Sequence, residues 1–200
     1  AIAMQLQQPD RVPVMCQLAL GHYFLNTDFA PHEIWFDSEA FAEAVVALQR
    51  RYRFDGILVN LPGRPPDLLD EVARIERTPD GEQLTWRNGE VTFCPWDDNP
   101  YHALANGDPA PRADFATIDP DALDALDTLT GYTWGVYHVP SLSGRSDRGP
   151  LREIPPYFLR AIDLVRRKAD ADVPIHGEVF SPFTHFLELF GYESALFNML

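Results

Sequence analysis

The chain has 200 residues and a formal net charge of -14, long enough for a sizeable core and of the wrong sign for a polyanion partner, since nucleic-acid affinity rests on clustered Lys and Arg. No apolar run approaches the roughly 20 residues of a bilayer span, and the first residues lack the charged-then-apolar pattern of a signal peptide, so no membrane is expected and a cytoplasmic location is. The two cysteines, Cys16 and Cys94, form no CxxC, which leaves neither a disulfide framework nor a zinc ribbon indicated.

In chain order, Val12, Val14 and Cys16 alternate with Pro13, Met15 and Gln17, which predicts a first strand over 12–18. It runs into a loop, Gly21 to Phe24, where His22 and Tyr23 can exchange or donate protons. Phe41, Val45, Leu48 and Tyr52 recur at helical spacing behind Asp37 and Ser38, the pattern of an amphipathic helix. The run DGILVNL reads as a strand buried on both faces, with Asn60 its one interior polar group.

Residues 64–112 are rich in Pro, Asp, Asn and Gly and read as an insertion. A short helix is expected over 68–75. A β-hairpin is expected in GEQLTWRNGEVTFCPW, turned at Asn88 and Gly89 and packed down by Trp86, Phe93 and Trp96. Asp97, Asp98 and Asn99 with His102 read as a polar turn rather than a metal site. A helix is expected from Asp121, with acid in its first turn. Another is expected over 157–168, turning Leu159, Ile162 and Val165 inward and Arg160, Arg166, Arg167 and Lys168 outward.

The stretch VPIHGEVFSPFTHFLE, residues 173–188, is the most informative. Val173, Ile175, Gly177 and Val179 fall on one face of a predicted strand, and Pro174, His176, Glu178 and Phe180 on the other. Ser181 is placed to cap the following helix, and Pro182 takes its first position, where a missing N–H costs nothing. A carboxylate near the end of a buried strand is expensive unless paired or used, so Glu178 is either a site residue or a structural bridge.

Three segments, DRVPVMCQLALGHYF, FDGILVN and GEVFSPFTHFLELFGYE, together resemble the first half of the uroporphyrinogen decarboxylase superfamily, which also contains corrinoid-dependent methyltransferases. The resemblance implies an α/β fold of the TIM (β/α)8 barrel type. A whole barrel usually needs about 250 residues, so 1–200 is expected to be one domain, the N-terminal part of such a barrel with a β-hairpin region inserted at about 64–112. Both ends read as cut: AIAMQLQQPD lacks an initiator-like start, and SALFNML stops inside a helical pattern.

The family pattern is also departed from. Where the decarboxylase carries two substrate-holding arginines the chain has Leu18 and His22, and Pro62 stands at or beside its aspartate. Without those guanidiniums the bidentate grip on carboxylates is lost, which turns the expectation from a tetrapyrrole decarboxylase (a lyase) to a corrinoid-linked methyltransferase. A non-catalytic binding protein on the same scaffold is the third reading. Glu178 and His22 are the candidate catalytic residues, and Gln17, Tyr23, Asn60, Ser181 and Glu188 the candidate substrate-binding ones. Glu188 matches the position of a substrate-contacting tyrosine in the decarboxylase.

The resemblance further implies a corrinoid (cobalamin) on a partner protein, a small-molecule methyl acceptor, and room for a homodimer. It implies zinc only where a chain continues into a C-terminal half that carries a His-x-Cys pair and a distant Cys. No such spacing occurs in these residues.

Overall fold

A computed structural model describes residues 5–59, 66–109, 112, 114–119, 156–177 and 182–199. The described residues open with a segment outside helix and strand, followed by three helices: α1 (Leu20–Asn26), α2 (Pro31–Phe36) and α3 (Ser38–Tyr52). The helix expected behind Asp37 is present, and its start is explained by the Asp37 carboxylate accepting from Glu39 N–H at 2.8 Å. It ends at Arg53, whose left-handed backbone (φ 56°) lets its N–H close back on the carbonyls of Arg50 and Gln49. Phe41, Val45 and Leu48 are buried, whereas Tyr52 stays on the surface.

The predicted loop at Gly21 to Phe24 is instead helix α1. Leu20, Tyr23 and Phe24, at three- and four-residue spacing, turn one face of it into the core.

Strand β1 (Ile57–Val59) follows α3 and pairs in parallel with β6 (Ile175–Gly177), in the register Ile57 to Ile175 and Val59 to Gly177. Of the three segments expected to share one parallel sheet, 12–18, 56–61 and 173–179, the latter two contribute paired strands. Helix α4 (Pro156–Lys168) precedes β6 and packs on α3. Val165 is buried as expected, but Ala161 and Leu164 complete the inward face and Leu159 is 48% exposed. The basic end of α4 is more than a solvated face: Lys168 reaches Glu39 and Glu43, each at 3.0 Å, and its carbonyl accepts from Arg50 at 2.9 Å.

The segment 12–18 does not become the third strand of this sheet. Pro13 has no N–H to give a ladder, and the N–H of Val14 is taken by the Asp55 carboxylate at 2.7 Å. One backbone bond, Asp55 N–H to Val14 O at 2.7 Å, ties the segment to the lead-in of β1. Val12 is left 82% exposed.

Residues 66–109 fold as a separate four-stranded antiparallel sheet in the order β2 (Val72–Arg77), β3 (Gly81–Trp86), β4 (Val91–Pro95) and β5 (Tyr101–Ala103). The expected hairpin is its β3–β4 pair. Gly89 takes the left-handed backbone (φ 86°) and Asn88 does not, so the turn is not the two-residue type that needs both. In place of a helix over 68–75, a 3-10 turn (Pro66–Glu71) leads straight into β2. Trp86 is buried, and Trp96 lies beneath Arg77 with its indole N–H donating to Pro79 O at 3.0 Å.

These two sheets correct the expected TIM (β/α)8 barrel. Among the described residues neither sheet closes, and the larger one is antiparallel, built of consecutive strands. A barrel of that type requires parallel strands joined by helices all the way round.

After β6, α5 (Pro182–Phe190) starts at Pro182 as expected. The helical pattern is then interrupted at Gly191 (φ 79°) before α6 (Tyr192–Met199). The helix expected from Asp121 lies outside the described residues. One core joins the parts: Phe36 of α2 meets Trp86 of β3 edge-on, with ring centroids 6.4 Å apart. Among the described residues no helix is long and apolar enough to cross a membrane.

Candidate functional site

The parallel pair sets the frame. β1 and β6 leave their ladder at the same end, at Val59 and Gly177, and the next residues in the sequence are Asn60 and Glu178. Asn60, Glu178 and Ser181 lie outside the described residues, as do Pro62 and the Glu188 side chain, although Glu188 itself falls within α5. Gln17 is exposed, on the segment that stays out of the sheet.

His22 is held at a different place. Its Nε2 lies 3.0 Å from the Tyr52 hydroxyl, which donates to Asn26 Oδ1 at 3.3 Å, while Asn26 Nδ2 donates to His22 O at 2.9 Å. With the tyrosine proton committed to Asn26, the consistent arrangement has His22 Nε2–H donating to the Tyr52 oxygen. This His–Tyr–Asn chain sits at the last turn of α3, the end that leads into the amino end of β1.

Tyr23 is fully buried against Phe41, with ring centroids 6.0 Å apart. Its hydroxyl has no hydrogen-bond partner among the described residues. Burial, with a smaller contribution from Cys16, pushes its ionisation far above the usual phenol range. It is held as a neutral core side chain.

Two acid–base pairs were not anticipated from sequence. In β3, the Glu82 carboxylate is 3% exposed and accepts both the backbone N–H and the Nδ1 of His32 from α2, each at 2.9 Å. In the sheet interior, Trp86 Nε1–H donates to Thr92 Oγ1 at 2.9 Å, Thr92 meets His102 Nδ1 at 3.0 Å, and His102 Nε2 meets Glu90 at 2.9 Å. The signal for the second was the register, which places His102 opposite Thr92. With the His102 side chain only 1% exposed, the chain braces the sheet and is closed to a ligand.

The hydrogen bond to Glu82, ahead of the Coulomb attraction of Glu82 and Glu33, raises the His32 pKa above its ordinary 6.5 despite partial burial. A raised folded-state value favours folding when His32 is protonated. That stability is fully present below about pH 6.5 and is lost as pH rises through the higher folded value. The urea midpoint is expected to fall across that window, and His32→Gln is expected to flatten the slope there; an unchanged slope in the variant would place the titration elsewhere.

Among the described residues no group of three His, Cys, Asp or Glu side chains is placed to hold a metal, so these residues do not fit the implied zinc and no zinc-dependent step is assigned to them. An open cleft of about 780 Å3 lies at the amino ends of β1 and β6, opposite the end that Asn60 and Glu178 follow. Comparison with models of protein families, with curated proteins and with solved structures finds no match.

Proposed function

We propose that this chain belongs to a cytoplasmic methyltransferase that moves a methyl group between a corrinoid-carrying partner protein and a thiol or other small acceptor, with its site at the carboxyl ends of β1 and β6. The observation that supports this reading is the parallel pairing of those strands. Ile57–Val59, within FDGILVN, pair in register with Ile175–Gly177, which lead into GEVFSPFTHF; both segments carry the resemblance to the decarboxylase superfamily and lie far apart in sequence. Ligands of open α/β sheets bind outside the carboxyl ends of parallel strands.

A methylated corrinoid on the partner protein would supply the methyl group, its cobalt keeping the electron pair of the cobalt–carbon bond that breaks as the acceptor's sulfur–carbon bond forms. Glu178 takes the proton that the acceptor thiol sheds as its sulfur bonds to the methyl carbon, and Asn60 orients the acceptor through its amide. His22, hydrogen-bonded to Tyr52 at the last turn of α3, is assigned no part in this step.

The test is incubation of the purified protein with a methylated corrinoid protein and a panel of thiols, with the methyl thioether detected by mass spectrometry. Formation above the uncatalysed rate is expected. On uroporphyrinogen no carboxylate should be lost, since Leu18, His22 and Pro62 stand where the resemblance calls for charged groups. Stepwise loss of carbon dioxide, without methyl transfer, would replace this reading with that of a tetrapyrrole decarboxylase.

A further inference from the structure

The antiparallel sheet ends at β2, and among the described residues no strand lies beyond it. In the turn between β2 and β3, Thr78 N–H donates to Gly81 O at 2.8 Å. Bonded pairs alternate along an antiparallel ladder. Glu76 and Arg74 therefore direct their backbone groups at Gln83 and Thr85, while Ile75 and Arg77, opposite Leu84 and Glu82, direct theirs away from the sheet. A free edge of this kind is a template for another strand.

Sheets usually protect such an edge with proline, with like charges or with a charge pointing into the core. β2 contains no proline, and at its centre the residue on the core face is Ile75, 41% exposed beside the buried Leu84. Arg74 and Glu76 lie on the opposite face, one of each sign, and pair with each other along the strand. Against a reversed copy of itself about Ile75, that order is self-complementary. Arg74 falls opposite the partner's Glu76, and Glu76 opposite the partner's Arg74. A uniformly acidic or basic strand would match one of the two charges and repel the other.

We propose that two copies of this chain pair through β2 in antiparallel register about Ile75, joining their sheets into one. Each Ile75 N–H donates to the carbonyl of the partner's Ile75, the two isoleucine side chains cover the apolar margin of each core, and Arg74 and Glu76 of both strands form a square of alternating charge. Such a contact uses the same patch on both copies and closes on itself. The remaining charge of β2, Arg77, lies over Trp96 at 4.8 Å, and its two copies stand about 13 Å apart along the ladder. The irregular register between Val72 and Arg74 ends the pairing at the other side. So short a contact makes a weak dimer, with a Kd on the order of 100 µM.

Sedimentation velocity between about 10 µM and about 1 mM of chain measures the dimer, and amide exchange of the 15N-labelled protein locates it. The Ile75 N–H is expected to gain protection as concentration rises, and the Glu76 N–H, already bonded within the sheet, to stay as it is. Arg74→Glu alone and Glu76→Arg alone each set like charges opposite one another twice, and each should weaken the dimer at least about tenfold. An equimolar mixture of the two variants restores opposite charges at both positions and is expected to dimerise again, which a folding defect would not allow. Tyr101→Lys, at an exposed position of the far edge strand β5, should change nothing. A protein that stays monomeric at about 1 mM, a dimer that either single variant leaves intact, or a mixture that stays monomeric would overturn the proposal. So would assembly beyond a dimer that Tyr101→Lys abolishes, since that would set β2 on β5 of the next copy.

Discussion

Trp86→Ala is expected to cost about 3–5 kcal/mol, the range for removing a fully buried tryptophan. Trp86 is 2% exposed and is among the largest fully buried side chains. Its ring meets Phe36 edge-on, so it holds α2 against the antiparallel sheet, and its indole N–H donates to Thr92 at the head of the chain through His102 to Glu90. Alanine would remove both the packing and the donor, and a cavity would remain because the surrounding sheet relaxes only in part. Trp86→Phe separates the two contributions: it keeps most of the apolar contact and loses the hydrogen bond, with an expected cost of about 1–2 kcal/mol. Urea unfolding measures both. A loss under about 1 kcal/mol for Trp86→Ala, ordinary for a surface site, would mean that sheet and helices do not share one core.

Gly21→Ala poses a contest of signs. Within a helix alanine is favoured over glycine by about 1 kcal/mol, and Gly21 lies inside α1. A Cβ built there, however, meets Asp97 C at 2.5 Å, Asp97 O at 2.7 Å and Asp97 Cα at 2.8 Å. All three are backbone atoms, so no side chain can swing away, and either α1 or the loop after β4 must move. Overpacking of this kind costs about 1–3 kcal/mol and sometimes more; with three such contacts the upper part of that range applies, and a net loss of about 2 kcal/mol is expected. Stabilisation by the variant would show that α1 is not docked against that loop.

Much of the helical part was legible because local signals agreed. Asp37 as a cap followed by Phe41, Val45 and Leu48 at helical spacing specifies α3 without reference to the rest of the chain. The apolar runs of β1 and β6 likewise announced two parallel strands, although β1 is largely buried and β6 is half-buried to exposed. The segment 12–18 shows the limit: Val12, Val14 and Cys16 alternate as a strand should, yet the partner of the Val14 N–H is the side chain of Asp55, a long-range contact that periodicity does not carry.

β2 was hidden for a related reason. It lies at the edge of its sheet, and its charged residues Arg74, Glu76 and Arg77, the two arginines exposed, show little of the apolar alternation that marks a half-buried strand. The barrel came from the resemblance alone, and the antiparallel sheet, whose consecutive strands need no crossover helices, is what the described chain forms instead. Of the candidate site, His22 could be named but not placed, because its partner Tyr52 is set by how α1 lies on α3. Asn60, Glu178 and Ser181 lie outside the described residues.

The central claim is that Glu178, which follows the last paired residue of β6, acts on the substrate. Glu178→Gln keeps the shape and removes the charge, so methyl transfer by the variant, taken together with its thermal unfolding, tests the claim most directly. The account predicts at least about a tenfold loss of rate, or about 1.4 kcal/mol, with stability unchanged to within about 0.5 kcal/mol. Lower stability with full activity per folded molecule would contradict it and identify Glu178 as a structural bridge.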